Sequence, residues 1–489
     1  MVKTYKPWQY VLIVVCLFLM FFGNHLPAIW GLEAPAMLAI GMFIGTIVLM
    51  LFVDTAWPPV LLVIAAIVSK QFTVATALSA SIGNSIVQYV LFATALTYSL
   101  QKSGILERVA IWIATRDLAK KHPWLFLTLL LAGPTYLGMF IDVCTNLIVF
   151  ATVYMQLCDI MGYKRGDGEA FPKLLIFGTL FADAIGAAAT PISHPAVILT
   201  MGMYETSTGN AINFGGYCVM GIILATIGLV LYVLMCRFVF KADVSRLQKL
   251  DASSLKDADI INTKLSKEEV ANLAIFGVVV ALWVFPGLLR NVIPALYELT
   301  NPWGTVTPAM MGLIALCVIP VNGKPLVSFN EAMQKGVSWG AVWITASTMM
   351  LIQVIGNSEL GITDAMANAA AGAFGHISGL LFVLLAVAMV LLFTNFCSNN
   401  ISVTIVYTLS IPLILAGTIS GVSALGLACV LGFGCQVAVA SPAGSAYAGI
   451  ANGYGWFDTA FQIKIGMTMC AIMAIVLVLI GYPLGNILG

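Results

Sequence analysis

Cys144-Thr145-Asn146, leading on to Ala189-Thr190-Pro191-Ile192-Ser193-His194-Pro195, and Cys397-Ser398-Asn399-Asn400, leading on to Ala440-Ser441-Pro442-Ala443-Gly444-Ser445, repeat one polar punctuation inside apolar sequence. In each copy a hydroxyl-Asn pair is followed by a hydroxyl-Pro breaker, 44 residues on from Asn146 to Thr190 and 42 from Asn399 to Ser441. A helix broken at membrane depth exposes N–H and C=O groups that hydrocarbon leaves unsatisfied and a bound solute or ion can satisfy. Two such breaks predict two halves of one binding site.

The rest of the chain supplies the membrane. Hydrophobic residues make up 61% of the 489 and charged residues 9%, and uncharged runs long enough to span a bilayer recur throughout, which excludes a soluble protein. The net charge of +1 leaves no field to attract nucleic acid. Ten cysteines sit singly in apolar segments and read as packing residues. The first apolar stretch, Trp8 to Trp30, is too long for a signal peptide and has no small-residue cleavage site, so it counts as a membrane helix.

Basic residues set the orientation, since Lys and Arg collect on the cytoplasmic side. They fall at Lys3 and Lys6, between Lys102 and Lys121, between Lys164 and Lys173, and between Lys241 and Lys267. Keeping these groups inside requires crossings at 8–29, 35–53, 57–69, 86–101, 173–203 and 215–239, with 124–158 entering and leaving from the cytoplasm as a re-entrant hairpin. Crossings at 270–289, 305–321 and 337–357 follow. A second hairpin at 378–417 then opens to the outside, and 422–450 and 461–486 complete the chain. This places 20 of 22 basic residues inside, with Lys70 and Arg290 the exceptions. The expected fold is an all-α membrane protein of about eleven transmembrane helices plus two re-entrant hairpins in an inverted repeat. Its parts are an N-terminal helix (1–34), repeat one (35–240, with the broken helix at 173–203), a cytoplasmic linker (241–268) and repeat two (269–489, with the broken helix at 422–450). The N-terminus is expected inside and the C-terminus outside, in a plasma membrane of bacterial type.

No phosphate-cradling loop, metal-ligand spacing or nucleotide-binding segment appears, and the four histidines (His25, His122, His194, His376) lie far apart. An enzyme, or a pump hydrolysing ATP itself, is therefore disfavoured; a secondary transporter needs only differential binding to two states. Asn146 and Asn399 are the leading site candidates, because an amide both donates to carboxylates and coordinates hard cations through oxygen. A Ser/Thr-Asn pair also caps helices. Helix N-termini after the breaks favour anions. With no Lys or Arg expected at midplane depth, neutral donors hold the anion and co-bound cations screen it. Asp142, Asp183 and His194 are candidate coupling groups, since intramembrane ionisable residues are costly and usually functional; each also has a plain role at a helix break or membrane surface.

Thr145-Asn146, Ser398-Asn399-Asn400 and the two breaks resemble the paired Ser-Asn-Thr signatures of the divalent anion:sodium symporter family. The layout is similar over nearly the whole chain and closest over 140–200 and 390–450. The resemblance implies a homodimer embedded in lipid, with a scaffold domain and a mobile domain that moves as an elevator and carries dicarboxylates, citrate, tartrate or sulfate. It implies one sodium near Thr145, Asn146 and Ala189 and a second near Thr394, Cys397, Asn399 and Ala440, with no organic cofactor. Substrate carboxylates would meet Asn146 and Thr190 on one side and Ser398, Asn399, Asn400, Ser441 and Pro442 on the other. Leu147 and Asn400 stand where the family has Thr, and the added titratable groups leave proton coupling and anion exchange open.

Overall fold

In hydrocarbon every backbone polar group must be satisfied within the protein, and a helix does this inside one segment. The computed structural model is accordingly helical, with one two-stranded antiparallel turn (Pro320–Val321 with Lys324–Pro325) as the sheet among the described residues. It describes residues 4–116, 118–248, 250, 264–374 and 377–489. His376, Lys3 and most of the linker, including Lys249 and Lys256, lie outside the described residues.

The first half comprises α1 (Pro7–Phe22), α2 (Ala34–Phe52), α3 (Pro58–Val68), α4 (Val74–Ala80), α5 (Ser85–Lys102), α6 (Ile105–Ala114) and α7 (Leu118–Lys121). It continues with α8 (Pro123–Gly138), α9 (Val143–Ile160), α10 (Ala170–Ala189), α11 (Pro195–Thr208) and α12 (Phe214–Leu234), and α13 (Ser245–Gln248) lies in the linker. The second half comprises α14 (Lys267–Leu288), α15 (Pro294–Thr300), α16 (Val306–Val318), α17 (Phe329–Glu331), α18 (Trp339–Ile355) and α19 (Ile362–Phe374). It ends with α20 (Gly379–Thr394), α21 (Asn399–Leu415), α22 (Ala424–Gly434), α23 (Ala446–Gly453), α24 (Thr459–Val476) and α25 (Tyr482–Leu488).

Local sequence starts these helices in ordinary ways. Asn84, Asn213, Ser378, Ser423 and Asp458 each accept a first-turn N–H through the side chain, and Ser266 and Glu269 form a reciprocal capping box. Pro occupies the first turn of α1, α2, α3, α8 and α11, where its missing N–H costs nothing.

Among the described residues, seven helical stretches are long and apolar enough to cross a membrane alone, 459–488 being one of them. Two bent pairs, Val74–Ala80 with Ser85–Lys102 (50°) and Phe329–Gly336 with Trp339–Ile355 (72°), each make a further candidate span. The expected crossing at 57–69 is α3, which has 11 residues; at 1.5 Å per residue it reaches about 16 Å, half of a bilayer core. Ser69 and Lys70 end it, with Lys70 at φ 61°. The span expected at 86–101 begins earlier, through α4.

The two halves repeat one element order. After a bent span and a short helix, each folds a two-helix hairpin (α8–α9, α20–α21), a helix interrupted by extended chain (α10–α11, α22–α23) and a long closing helix (α12, α24). The halves also exchange contacts: α9 of the first packs on α23 of the second, and α21 of the second on α11 of the first. At the centre lies α10, buried from Phe171 to Ala189 except at Lys173. Its glycines permit this, since a Cβ on Gly178 or Gly186 would lie 2.6 Å from Tyr232 or 2.1 Å from the Thr135 carbonyl. A separate apolar cluster joins α1, α2 and α3 to the far end of α18.

The polar segments gather into two places. Arg108–Glu269 (3.1 Å) and Lys102–Glu331 (2.9 Å) tie the first half to the second, and Arg246–Glu169 (3.3 Å) ties the linker to the first half. Elsewhere Gln71, Ser207, Asn357 and Ala416, from four separate element ends, line one cavity of about 630 Å³.

Candidate substrate and cation site

Each hairpin turns through four residues, 139–142 and 395–398, before its second helix begins. Each turn is bonded to the interrupted helix of its own half. In the first, Thr190 Oγ1 donates to the Met139 carbonyl and Ser193 Oγ to that of Ile141 (2.6 Å). In the second, Asn395 Oδ1 accepts from Ala440 N (2.6 Å), its Nδ2 donates to the Val437 carbonyl (3.0 Å), and Thr394 donates to that of Cys435. Side chains thus occupy backbone groups that the breaks release.

Two glycines hold the breaks in matching positions. A Cβ on Gly221 of α12 would lie 2.1 Å from the Ala189 carbonyl oxygen, and one on Gly466 of α24 would lie 2.3 Å from Ala440 Cα. No larger residue fits at either point without displacing the break.

Residues of both tips face one cavity of about 340 Å³. Ser398, Asn399 and Asn400 from the second tip and His194 line it, as the sequence reading expects of site residues. From the first tip, however, Asp142, Val143 and Cys144 line it, while Thr145, Asn146, Thr190, Ser441 and Pro442 do not. Counted from the helix starts, Asp142-Val143-Cys144 corresponds to Ser398-Asn399-Asn400. The Asn-containing motifs are therefore out of register by one turn, and Asn146 sits one turn further into its helix.

This displacement gives the two asparagines different surroundings. Asn146, fully buried, donates to the Pro134 carbonyl (2.9 Å) and to Asp183 Oδ1 (2.7 Å). Its own Oδ1 and Asp183 Oδ2 are buried without a hydrogen-bond partner. Gly138 makes room for the pair, since a Cβ there would lie 2.7 Å from Asp183 Oδ1. Asn399 accepts from Thr394 Oγ1 (3.0 Å) and donates to Gln436 Oε1 (2.8 Å) and Tyr447 OH (3.2 Å). In both halves the Asn meets a partner 37 positions on, Asp183 in one and Gln436 in the other. Gln436 Nε2 lies 2.6 Å from His194 Nδ1, so the network crosses from the second half to the first. That same nitrogen accepts from Ala196 N (3.3 Å) and caps α11.

Asp142 caps α9: its Oδ2 accepts from Thr145 N (3.0 Å) and Thr145 Oγ1 (3.1 Å). Ala189 and Ala440 are buried at the two breaks, and Cys397 is half-buried in the second tip. Gln436, Tyr447 and Asn395 escaped the sequence reading. Gln436 and Asn395 carried a signal, since an isolated amide inside an apolar run must find partners when buried; Tyr447 carried none.

Two interrupted helices and two opposed hairpins around a shared polar cavity define a multi-pass membrane transporter. The chain belongs to the citrate transporter family, whose model matches residues 43–418. It is 23% identical over 421 residues to the sodium-dependent dicarboxylate transporter SdcS of Staphylococcus saprophyticus, covering 83% of this chain and 77% of the relative. The family match and this relative bear out the resemblance read from the motifs, and the protein is a transporter rather than an enzyme. In fold it is similar to the YdaH transporter of Alcanivorax borkumensis, whose crystal structure has an unusual topology. That likeness has a TM-score of 0.51 at 14% identity, over 84% of this chain and 88% of the other.

Proposed function

We propose that this protein is a secondary active transporter that carries small di- or tricarboxylates across a bacterial plasma membrane, coupled to sodium, as an elevator-type homodimer. The observation that carries this reading is the cavity shared by both hairpin tips, with two orphaned acceptor oxygens buried behind one of them. Asn146 Oδ1 and Asp183 Oδ2 have no hydrogen-bond partner among the described residues, and buried acceptors of this kind are costly unless a cation or proton meets them. Thr145 adjoins Asn146 in sequence, and Ala189 ends the helix that carries Asp183. In the second cation set, Thr394, Cys397, Asn399 and Ala440, the Asn399 oxygen already accepts from Thr394 Oγ1. The substrate is held by Ser398, Asn399 and Asn400, with Thr190, Ser441 and Pro442 supporting the breaks. The apolar cluster built mostly from α1, α2, α3 and α18 supports a scaffold, which meets the second hairpin at Ile401 and Ile405 of α21.

The two polar gatherings support an orientation in which the ion-paired segments face the cytoplasm and the cavity at Gln71, Ser207, Asn357 and Ala416 faces outward. A cysteine at Asn322 is expected to react with an impermeant thiol reagent only from the cytoplasm, and one at Asn357 only from outside, in a background lacking accessible native thiols. Reaction of both from one side sinks the inverted arrangement.

Function is tested by uptake into proteoliposomes with imposed sodium, proton or counter-anion gradients and a panel of organic acids. A sodium gradient is expected to drive accumulation. The buried Asp183 carboxyl supports a second reading, proton coupling, which predicts accumulation driven by pH alone. Uptake that requires only an acid on the far side makes the protein an exchanger.

A further inference from the structure

The two hairpin tips offer opposite chemistry to the same cavity. At the first, α9 begins at Asp142, whose carboxylate takes the Thr145 N–H and hydroxyl and also lines the cavity. The positive end of that helix is therefore met by a negative group of the protein itself. At the second, α21 begins at Ser398, whose side chain caps nothing, so its first-turn N–H groups are left for a ligand. Beside it Asn400 is 6% exposed, lines the cavity and makes no side-chain hydrogen bond among the described residues, and its Oδ1 is buried without a partner. Among the described residues no Lys or Arg lines the cavity to offset Asp142.

A symmetrical diacid suits this pocket poorly. One carboxylate finds α21 and Asn400, but the other meets Asp142, and two like charges at short range repel. A substrate with a hydrogen-bond donor at that end turns the conflict into a contact. We infer that Asp142 is a specificity-determining residue that accepts a hydrogen bond from a donor on the substrate, so that acids bearing a hydroxyl or ammonium group beside a carboxylate are favoured over the unsubstituted diacid. The inference rests on the cavity being the substrate site, as argued above. Sites built to bond a substrate's polar group reject analogues that lack it more strongly than apolar pockets reject a missing methylene.

Matched four-carbon acids test this in the reconstituted full-length protein: succinate without a donor, malate with a hydroxyl and aspartate with an ammonium. Wild-type uptake is expected to favour malate or aspartate over succinate by about tenfold or more. Asp142→Ser copies the second tip and is expected to bring the acids within about threefold of one another, chiefly by a gain for succinate, which a misfolded protein does not give. Asp142→Asn preserves the cap, since Asn and Asp cap helices about equally. It keeps an acceptor for a hydroxyl but lacks the charge that an ammonium needs, so it separates the two donors. Equal acceptance of all three acids by wild type, or a preference that survives in both variants, overturns the role of Asp142. Uptake of no carboxylic acid at all overturns the substrate site itself.

Discussion

Asn399→Ala is expected to lower uptake by at least about 100-fold while the protein still inserts and purifies as a folded species. The amide of Asn399 joins Thr394, Gln436 and Tyr447, and through Gln436 it reaches His194. Truncation leaves the buried Gln436 Oε1 without its donor, which costs about 1–3 kcal/mol, while Thr394 and Tyr447 keep their bonds to the Cys435 and Gln436 carbonyls; a 100-fold loss of rate needs about 2.7 kcal/mol. Initial rates in proteoliposomes, beside a melting curve in detergent, check the outcome. Near-normal uptake would remove Asn399 from the site. Asn146→Ala is expected to fail differently. It strips Asp183 of its side-chain donor, and an uncompensated buried charge costs about 3–5 kcal/mol, so lost stability should precede lost transport.

The second large effect concerns coupling. Adding saturating sodium at fixed pH is expected to tighten substrate binding by about 10- to 100-fold, within the range of ordinary site–site coupling. Linkage requires substrate to tighten sodium binding by the same factor, which titration calorimetry in both orders measures. Asp183→Asn keeps the shape and removes the charge, and should abolish most of that dependence. Affinity that ignores sodium but follows pH, with Asp183→Asn erasing the response, would assign the site a proton instead.

The fold was legible because its strongest signals are periodic and long. The apolar runs, the duplicated breaks and the clustering of Lys and Arg each carry information over many residues. The polar triplet of the second tip was readable for a related reason, because Ser398-Asn399-Asn400 begins a helix and faces the cavity directly. The first tip was harder. Thr145-Asn146 matches Ser398-Asn399 in residue type, a hydroxyl followed by Asn, yet α9 is capped by Asp142, one turn earlier, and turns Val143 and Cys144 to the cavity instead. A one-turn shift leaves hydrophobic periodicity almost unchanged, so pattern alone does not reveal it. The pairing of Asn146 with Asp183 and of Asn399 with Gln436 depends on how hairpins lie across broken helices, which no local window of sequence encodes.

The solitary placement of Asp183 has an electrical consequence. Among the described residues it pairs with no Lys or Arg, and its hydrogen-bonded neighbour is the neutral Asn146. On the proposed sodium-coupled elevator reading, the ionised carboxylate gives the unloaded mobile unit a negative contribution, which one bound sodium cancels. Moving one elementary charge through the whole potential is worth about 2.3 kcal/mol per 100 mV. On that reading an interior-negative voltage acts chiefly on the vacant carrier and biases it toward the outside, so that the membrane potential resets the proposed cycle between one delivery and the next.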